Sequence, residues 1–107
     1  MHPYRVCVAD DHEEAALVLV EGLRRHHYDA FAVHTGAEAL EACTKGDVDL
    51  VLLDICFPDI DGYEICEKVK AIPAAADTVV IFVSVKGTQE DIAKGYHLGA
   101  ADYITKP

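Results

Sequence analysis

The stretch Leu50-Val51-Leu52-Leu53-Asp54 puts four apolar side chains directly before a carboxylate. The chain then breaks in the turn-forming sequence Phe-Pro-Asp-Ile-Asp-Gly of residues 57–62. A short unbroken apolar run is typical of a strand buried on both faces, because a strand with one wet face alternates apolar and polar residues. In open α/β sheets, ligands bind at the carboxyl edge of the strands. The stretch therefore predicts a central strand that presents Asp54 at a binding edge.

Apolar runs on either side of this strand alternate with segments of helical periodicity. Strands are predicted over residues 4–9, 29–33, 50–54, 79–84 and 102–105, and helices over residues 13–27, 35–44, 62–71 and 88–97. Strict alternation of strand and helix indicates parallel strands joined by right-handed crossovers. The predicted fold class is α/β, a doubly wound five-stranded parallel sheet with helices on both faces, in one domain covering residues 1–107.

The composition limits the classes of function. Of the 107 residues 51% are hydrophobic, which is enough for a core without disulfide or metal support. The formal net charge of −10 argues against direct nucleic-acid binding by this domain. Four cysteines without a CxxC pair argue against a disulfide or zinc framework. Because the sequence has no bilayer-length apolar run and no signal peptide, we expect a cytoplasmic protein without a membrane segment.

Polar side chains lie at or just beyond the carboxyl ends of four predicted strands, which share one edge of a parallel sheet. They are Asp10, Asp11, Asp54, Ser84 and Lys106. Two carboxylates about 5 Å apart repel by roughly 3 kcal/mol at an effective dielectric near 20, so three of them together require a cation. Oxygen ligands without histidine favour a hard divalent ion, and Mg²⁺ fits because it accepts a few carboxylates and retains water.

This set of side chains is suited to phosphoryl transfer, which depends mainly on positioning and on charge neutralisation. Asp54 is the predicted nucleophile, and Asp10 and Asp11 are the predicted metal ligands. Lys106 would bind phosphoryl oxygen as a point charge, and Ser84 would donate a hydrogen bond to it.

These residues, with Pro58, Asp61 and Gly62 after Asp54 and with Tyr103-Ile104-Thr105-Lys106-Pro107 at the end, resemble the receiver domain of two-component response regulators. The resemblance covers essentially the whole chain. It implies the flavodoxin-like strand order 2-1-3-4-5. It also implies that Asp54 takes a phosphoryl group, with Mg²⁺, from the phosphohistidine of a sensor histidine kinase or phosphotransfer protein. Such a domain is a signalling module that catalyses only its own phosphorylation and dephosphorylation.

The resemblance implies a switch as well. Ser84 would move toward the phosphoryl group, and Tyr103 on the fifth strand would turn inward behind it. The output face would be the fourth helix and the fifth strand, including Ile92, Tyr96 and Tyr103, and it would act on an effector domain or a partner protein. The Lys106–Pro107 bond is expected to be cis, as in the family.

One feature departs from the family pattern, and two residues near the phosphoacceptor, Cys56 and Lys86, are also informative. The last helix is missing, so we expect a domain truncated before it, with apolar sheet surface uncovered. Cys56, two residues after Asp54, would offer its backbone carbonyl to Mg²⁺. Because the Cys56 thiol is a poor hydrogen-bonding partner for an attacking water, we expect slow hydrolysis of phospho-Asp54. Lys86, two residues after Ser84, adds a cation at the mouth of the site.

Plainer roles compete with these assignments. Asp11 is an alternative cap for the first helix, Asp59 and Asp61 suit a turn with Asp61 as a candidate helix cap, and a strand tyrosine such as Tyr103 is most often ordinary packing. A haloacid-dehalogenase-type phosphatase would place its nucleophile in a DxD motif on the first strand. A flavin carrier would need a phosphate loop where this chain has acids. A receiver-like interaction module that never accepts phosphate is the remaining alternative.

Overall fold

The computed structural model describes residues 3–107 as alternating strands and helices. The strands are β1 (Arg5–Ala9), β2 (Asp29–Val33), β3 (Leu50–Leu53), β4 (Val79–Ser84) and β5 (Asp102–Thr105). The helices are α1 (Glu13–Arg25), α2 (Gly36–Thr44), α3 (Gly62–Ala71) and α4 (Gln89–His97), and a short 3₁₀ turn, Pro73–Ala75, precedes β4. No helix follows β5 within residues 3–107, and none of the helices there could cross a bilayer.

The sheet has the order β2-β1-β3-β4-β5 with every neighbouring pair parallel, which confirms the predicted fold class and the strand order implied by the resemblance. Its register aligns Ala9 of β1 with Leu53 of β3, and Leu53 with Phe82 of β4. Because Asp10 and Asp54 each follow an aligned residue, the two carboxylates emerge side by side at the carboxyl edge.

Side-chain caps begin three of the four helices. Thr35 accepts a hydrogen bond from Glu38 N–H at the start of α2, and Asp61 accepts one from Tyr63 N–H at the start of α3. Thr88 and Asp91 form a complete capping box at α4. No side chain caps α1 from its N-cap position, His12, so the alternative that Asp11 caps this helix is wrong. Helix α1 also ends before the predicted boundary because His27 adopts φ = +69°.

The two faces of the sheet are covered unequally. On the side of α2 and α3, Val51 and Leu53 of β3 are fully buried. On the other side, α1 packs on β1 and β2, and Leu50 and Leu52 are only half-buried. The prediction that β3 is buried on both faces therefore holds completely for one face. An apolar groove of about 390 Å³ lies on the open side, lined by Tyr4, Val6, Tyr28, Leu50, Val79 and Ile81, with Asp49 and Asp77 at its border.

Candidate functional site

Three carboxylates gather at the carboxyl edge of the sheet. One oxygen from each of Asp10, Asp11 and Asp54 lies within 4.8 Å of the others. Asp10 and Asp11 follow β1, and Asp54 follows β3. The Asp10 side chain is 5% exposed and that of Asp54 12% exposed, whereas Asp11 faces solvent. The prediction that the strand ends bring these three acids together agrees with this geometry.

Lys106 lies between two of these carboxylates. Its Nζ donates to Asp10 Oδ2 at 2.9 Å and to Asp54 Oδ2 at 2.8 Å. Burial lowers the pKa of Lys106, but the hydrogen bonds and negative charges of Asp54 and Asp10 outweigh burial, and the net result is a pKa above the usual lysine value. The ammonium group therefore remains charged at neutral pH and offsets the repulsion between the carboxylates.

The other oxygen of each carboxylate is bound by the local backbone. Asp54 Oδ1 accepts from Ile55 N–H at 2.6 Å and, more weakly, from Cys56 N–H at 3.5 Å. Asp10 Oδ1 accepts from His12 N–H at 2.9 Å. Each carboxylate is therefore oriented by its own loop, with its second oxygen directed at Lys106.

The donor set fits a divalent metal ion. The three clustered side chains offer only carboxylate oxygens, which are the ligands of hard cations such as Mg²⁺. The exposed Asp11 gives the cluster an open side through which an ion and its waters can enter. One ammonium opposite three carboxylates also leaves a local excess of negative charge that a divalent cation would neutralise.

Ser84 and Tyr103 meet at the backbone of Lys86 and not at Asp54. Ser84 Oγ is fully buried and accepts from Lys86 N–H at 3.3 Å, and it makes no hydrogen bond to Asp54 in the described structure. Tyr103 points inward, 8% exposed, and its hydroxyl donates to Lys86 C=O at 2.6 Å. Sequence reasoning missed this shared partner, since it depends on the path of the loop after β4.

A stack of three aromatic rings extends from Tyr103 toward α3. The centroids of Tyr103 and Phe82 lie 5.6 Å apart, and those of Phe82 and Tyr63 lie 5.3 Å apart. The Tyr63 hydroxyl donates to Asp91 C=O on α4 at 3.0 Å. Gly95 of α4 packs so closely that a Cβ there would lie 2.9 Å from Tyr103 Cδ2. The stack links β5, β4, α3 and α4 in one packed unit.

Gly62 and Asp59, in the segment that follows Asp54, have roles that the sequence did not indicate. A Cβ on Gly62 would overlap the Asp54 carbonyl oxygen and lie 2.5 Å from Ile55 Cα, so only glycine fits there. Asp59, predicted as turn chemistry, instead accepts hydrogen bonds from the first two amides of α2, Gly36 N–H and Ala37 N–H.

The expectation that the Lys106–Pro107 bond is cis is wrong. Every peptide bond of residues 3–107 is trans, including Lys106–Pro107. The trans isomer is intrinsically favoured at X–Pro bonds by about 0.5–1 kcal/mol. Lys106 reaches both carboxylates with this bond in the trans form.

Comparison with known proteins gives one consistent family. The family model described as response regulator receiver domain matches residues 6–107. A probable cyclic di-GMP phosphodiesterase of Vibrio cholerae is 36% identical over 102 residues, which are 95% of this chain and 23% of that protein. The nisin biosynthesis regulatory protein NisR of Lactococcus lactis is 35% identical over 104 residues, 97% of this chain and 44% of that protein. This chain thus spans less than half the length of either relative.

Among solved structures, the BeF3-activated receiver domain of DrrB from Thermotoga maritima superposes with a TM-score of 0.88 at 30% identity. The match covers 99% of this chain and 86% of that chain. Likeness of fold and likeness of sequence therefore extend over the same residues, the carboxyl edge included.

Proposed function

The chain belongs to the response regulator receiver domain family, and from this premise we propose that Asp54 is its phosphoacceptor. The observation that supports the assignment best is the position of the Asp54 carboxylate. One of its oxygens is bound by Ile55 N–H, and the other faces Lys106 beside Asp10. Because Oδ1 is engaged by the backbone, Oδ2 is the oxygen free to attack phosphorus once Lys106 releases it.

The proposed reaction is transfer from a phosphohistidine on a sensor histidine kinase or phosphotransfer protein. Asp54 Oδ2 forms a bond to phosphorus as the phosphorus–nitrogen bond breaks, and the electron pair returns to the imidazole, which takes up a proton. Lys106 moves its hydrogen bonds from the carboxylate to a phosphoryl oxygen, and Ser84 donates its hydroxyl hydrogen to another. Mg²⁺ bound by Asp10, Asp11, Asp54 and the backbone carbonyl of Cys56 would neutralise charge on the phosphoryl oxygens.

A receiver domain of this family is a signalling module and not an enzyme that turns over a separate substrate. We propose that its output goes to an effector domain or a partner protein, in keeping with relatives more than twice as long. The net charge of −10 supports an output other than direct nucleic-acid binding by this domain. Four free cysteines support a reducing cytoplasmic location.

The proposed switch uses Ser84 and Tyr103. Tyr103 already lies inward, hydrogen-bonded like Ser84 to the backbone of Lys86, so the inward turn that the resemblance implies is not part of the proposed change. Movement of Ser84 toward a phosphoryl group would instead act on Tyr103 through the Lys86 backbone. The proposed output face comprises α4 and β5. There Ile92 is half-buried and Tyr96 is 46% exposed.

We also propose that residues 1–107 form one domain whose open sheet face is covered by a further helix after β5. Half-buried Leu50 and Leu52 and exposed Ile104 support this proposal, because apolar surface on a sheet face normally packs against another element. A chain extended by such a helix would show a higher free energy of unfolding.

Intact-mass spectrometry after incubation with acetyl phosphate tests the phosphoacceptor function. We expect one phosphoryl adduct that requires Mg²⁺. Continuous hydrolysis of acetyl phosphate, with no adduct detectable even at early times, would instead favour the alternative that the protein is a haloacid-dehalogenase-type phosphatase. A folded protein that gives neither adduct nor hydrolysis would favour the interaction module.

Replacing Cys56 with Asn is expected to speed hydrolysis of phospho-Asp54. An amide can hydrogen-bond the attacking water where the exposed thiol cannot do so well. One net hydrogen bond, about 0.5–1.5 kcal/mol, corresponds to roughly a two- to twelvefold higher rate. The rate is measured as loss of adduct mass after removal of the phosphodonor. Cys56→Ala is the control, which should decay at the native rate, and an Asn variant that decays no faster than Ala would contradict the prediction.

Replacing Gly95 with Ala is expected to push Tyr103 from its inward position. The new Cβ would lie 2.9 Å from Tyr103 Cδ2 and 3.0 Å from Phe82 Cδ2, so the rings must shift, at a cost of about 1–3 kcal/mol in unfolding free energy. Nuclear magnetic resonance spectra of the Tyr103 ring and denaturant unfolding measure both effects.

Gly22→Ala provides a matched control for this substitution. Gly22 lies in the interior of α1, and a Cβ added there would meet no heavy atom of another part of the protein within 4 Å. The same change there should stabilise the protein by about 0.5–1 kcal/mol, because alanine is the better helix former. Equal stability changes at the two positions would show that the aromatic stack tolerates a Cβ at Gly95.

A further inference from the structure

Asp59 binds the start of a helix that is distant in sequence. It lies in the loop between β3 and α3, and its Oδ1 and Oδ2 accept from Gly36 N–H at 2.9 Å and Ala37 N–H at 3.0 Å. The next amide of α2, that of Glu38, is bound by the local cap Thr35. The first two amides of α2 are therefore satisfied by a carboxylate from the phosphoacceptor loop, and only the third by the helix's own cap.

The loop approaches α2 closely at this point. A Cβ on Gly36 would lie 3.0 Å from both Ile60 Cβ and Ile65 Cδ1 and 3.3 Å from Asp59 Oδ1. The hydrogen bonds from Gly36 and Ala37 lower the pKa of Asp59 below its usual value. Asp59 is therefore ionised at neutral pH, and its contact with α2 is charge-assisted although the residue lies at the surface.

The same loop is fixed at its base. Gly62 N–H donates to Ile55 C=O at 2.7 Å, and the approach is so close that a Cβ on Gly62 would overlap the Asp54 carbonyl oxygen. The backbone between the base and Asp59 includes Cys56, whose N–H, with that of Ile55, faces Asp54 Oδ1. The orientation of the phosphoacceptor thus depends on a loop held at its base and at Asp59.

We propose that Asp59 is a positioning residue for the phosphoacceptor site. By binding the α2 amides, it holds the β3–α3 loop in the conformation in which the N–H groups of Ile55 and Cys56 face Asp54 Oδ1. This inference rests on the proposed function of Asp54. It goes beyond that function by assigning part of the site's geometry to the contact of Asp59 with α2.

The test compares Asp59→Ala with Thr35→Ala, because both substitutions remove caps from α2 and only the first releases the loop. Mg²⁺ is titrated into ¹⁵N-labelled protein, with the Ile55 and Cys56 amide signals giving the dissociation constant at this site. Loss of a group hydrogen-bonded to a metal ligand typically costs about 10–100-fold in affinity, and Asp59, which acts on the ligand loop from farther away, belongs at the lower end. We expect about a tenfold weaker Mg²⁺ affinity and a similarly slower adduct formation with acetyl phosphate for Asp59→Ala, and values within twofold of native for Thr35→Ala.

Asp59→Asn is the conservative variant, and it is also the one to use if Asp59→Ala does not fold. It keeps one acceptor oxygen for an α2 amide, so its Mg²⁺ affinity should lie between those of the native chain and Asp59→Ala. If Asp59→Ala does not fold, the expected result is an Asp59→Asn affinity below that of the native chain. Equal Mg²⁺ affinities in all folded variants and the native chain, or equal losses for Asp59→Ala and Thr35→Ala, would overturn the proposal. If Mg²⁺ shifts the Ile55 and Cys56 amide signals of the native chain but no adduct forms, the phosphoacceptor function is rejected. The Mg²⁺ affinities of the variants would still decide the role of Asp59.

Discussion

Asp54→Asn is expected to abolish the phosphoryl adduct completely while leaving the protein folded. An amide oxygen is too weak a nucleophile to attack phosphorus, so the loss should be total and not partial. The Asn side chain can still accept from Ile55 N–H, as Asp54 Oδ1 does at 2.6 Å. Removing one charge from the acid cluster offsets the lost ion pair with Lys106, so we expect little change in unfolding free energy. Intact mass after incubation with acetyl phosphate and Mg²⁺ measures the adduct.

Asp77→Asn is the matched control. Asp77 is exposed to solvent and precedes β4 at the amino edge of the sheet, away from the acid cluster. This variant should form the adduct at the native rate. An adduct on the Asp54→Asn protein would place the phosphoryl group on another residue, and peptide mapping would identify it.

The strands, helices and carboxyl-edge acids could be predicted because they depend on local sequence. Hydrophobic periodicity marks each element, and capping residues such as Asp61 and Thr88 mark helix starts within one residue. Parallel strands share a carboxyl edge, and Asp10 and Asp54 meet there because β1 and β3 are neighbours in the sheet. The strand order itself came from resemblance to a family, since periodicity alone does not choose among the orders that right-handed crossovers allow.

The contacts that were missed depend on tertiary packing. Asp59 looks like any turn aspartate, and nothing in its neighbourhood indicates that its partners are Gly36 and Ala37. The inward position of Tyr103 depends on the gap left by Gly95, in another element. The partial exposure of Leu50 and Leu52 was not predicted. An apolar run shows that both faces of a strand can be buried, but the elements that pack on the sheet decide which face is buried.

Lys106→Met is expected to destabilise the metal-free protein by about 3 kcal/mol. Removing one partner of a buried charge pair costs roughly 3–5 kcal/mol, and the lower end applies because the Lys106 side chain is 24% exposed. The variant leaves Asp10 and Asp54 facing each other without a cation. Denaturant unfolding in the presence of a chelator measures the change.

The pH dependence of this stability difference has a definite sign. The pKa of folded Lys106 lies above its ordinary value, because the effects of Asp54 and Asp10 outweigh burial. The contribution of Lys106 is therefore fully present below the unfolded pKa of about 10.4 and is lost as pH rises through the higher folded pKa. The stability difference between the native protein and Lys106→Met should be constant near neutral pH and should shrink only in that alkaline range.

Mg²⁺ should separate the structural role of Lys106 from its chemical role. A divalent cation at the acid cluster neutralises the repulsion that the substitution exposes, so saturating Mg²⁺ should restore most of the lost unfolding free energy. It should not restore phosphorylation, because the phosphoryl oxygen loses its ammonium partner; removing one such electrostatic contact typically slows a reaction about 10²–10³-fold. Lys86→Met removes an exposed cation that forms no ion pair among residues 3–107. It should leave the unfolding free energy near the native value and should change the rate of adduct formation by no more than about twofold. If Mg²⁺ restored the rate of adduct formation together with stability, Lys106 would be only a counterion to the acids and not a ligand of the phosphoryl group.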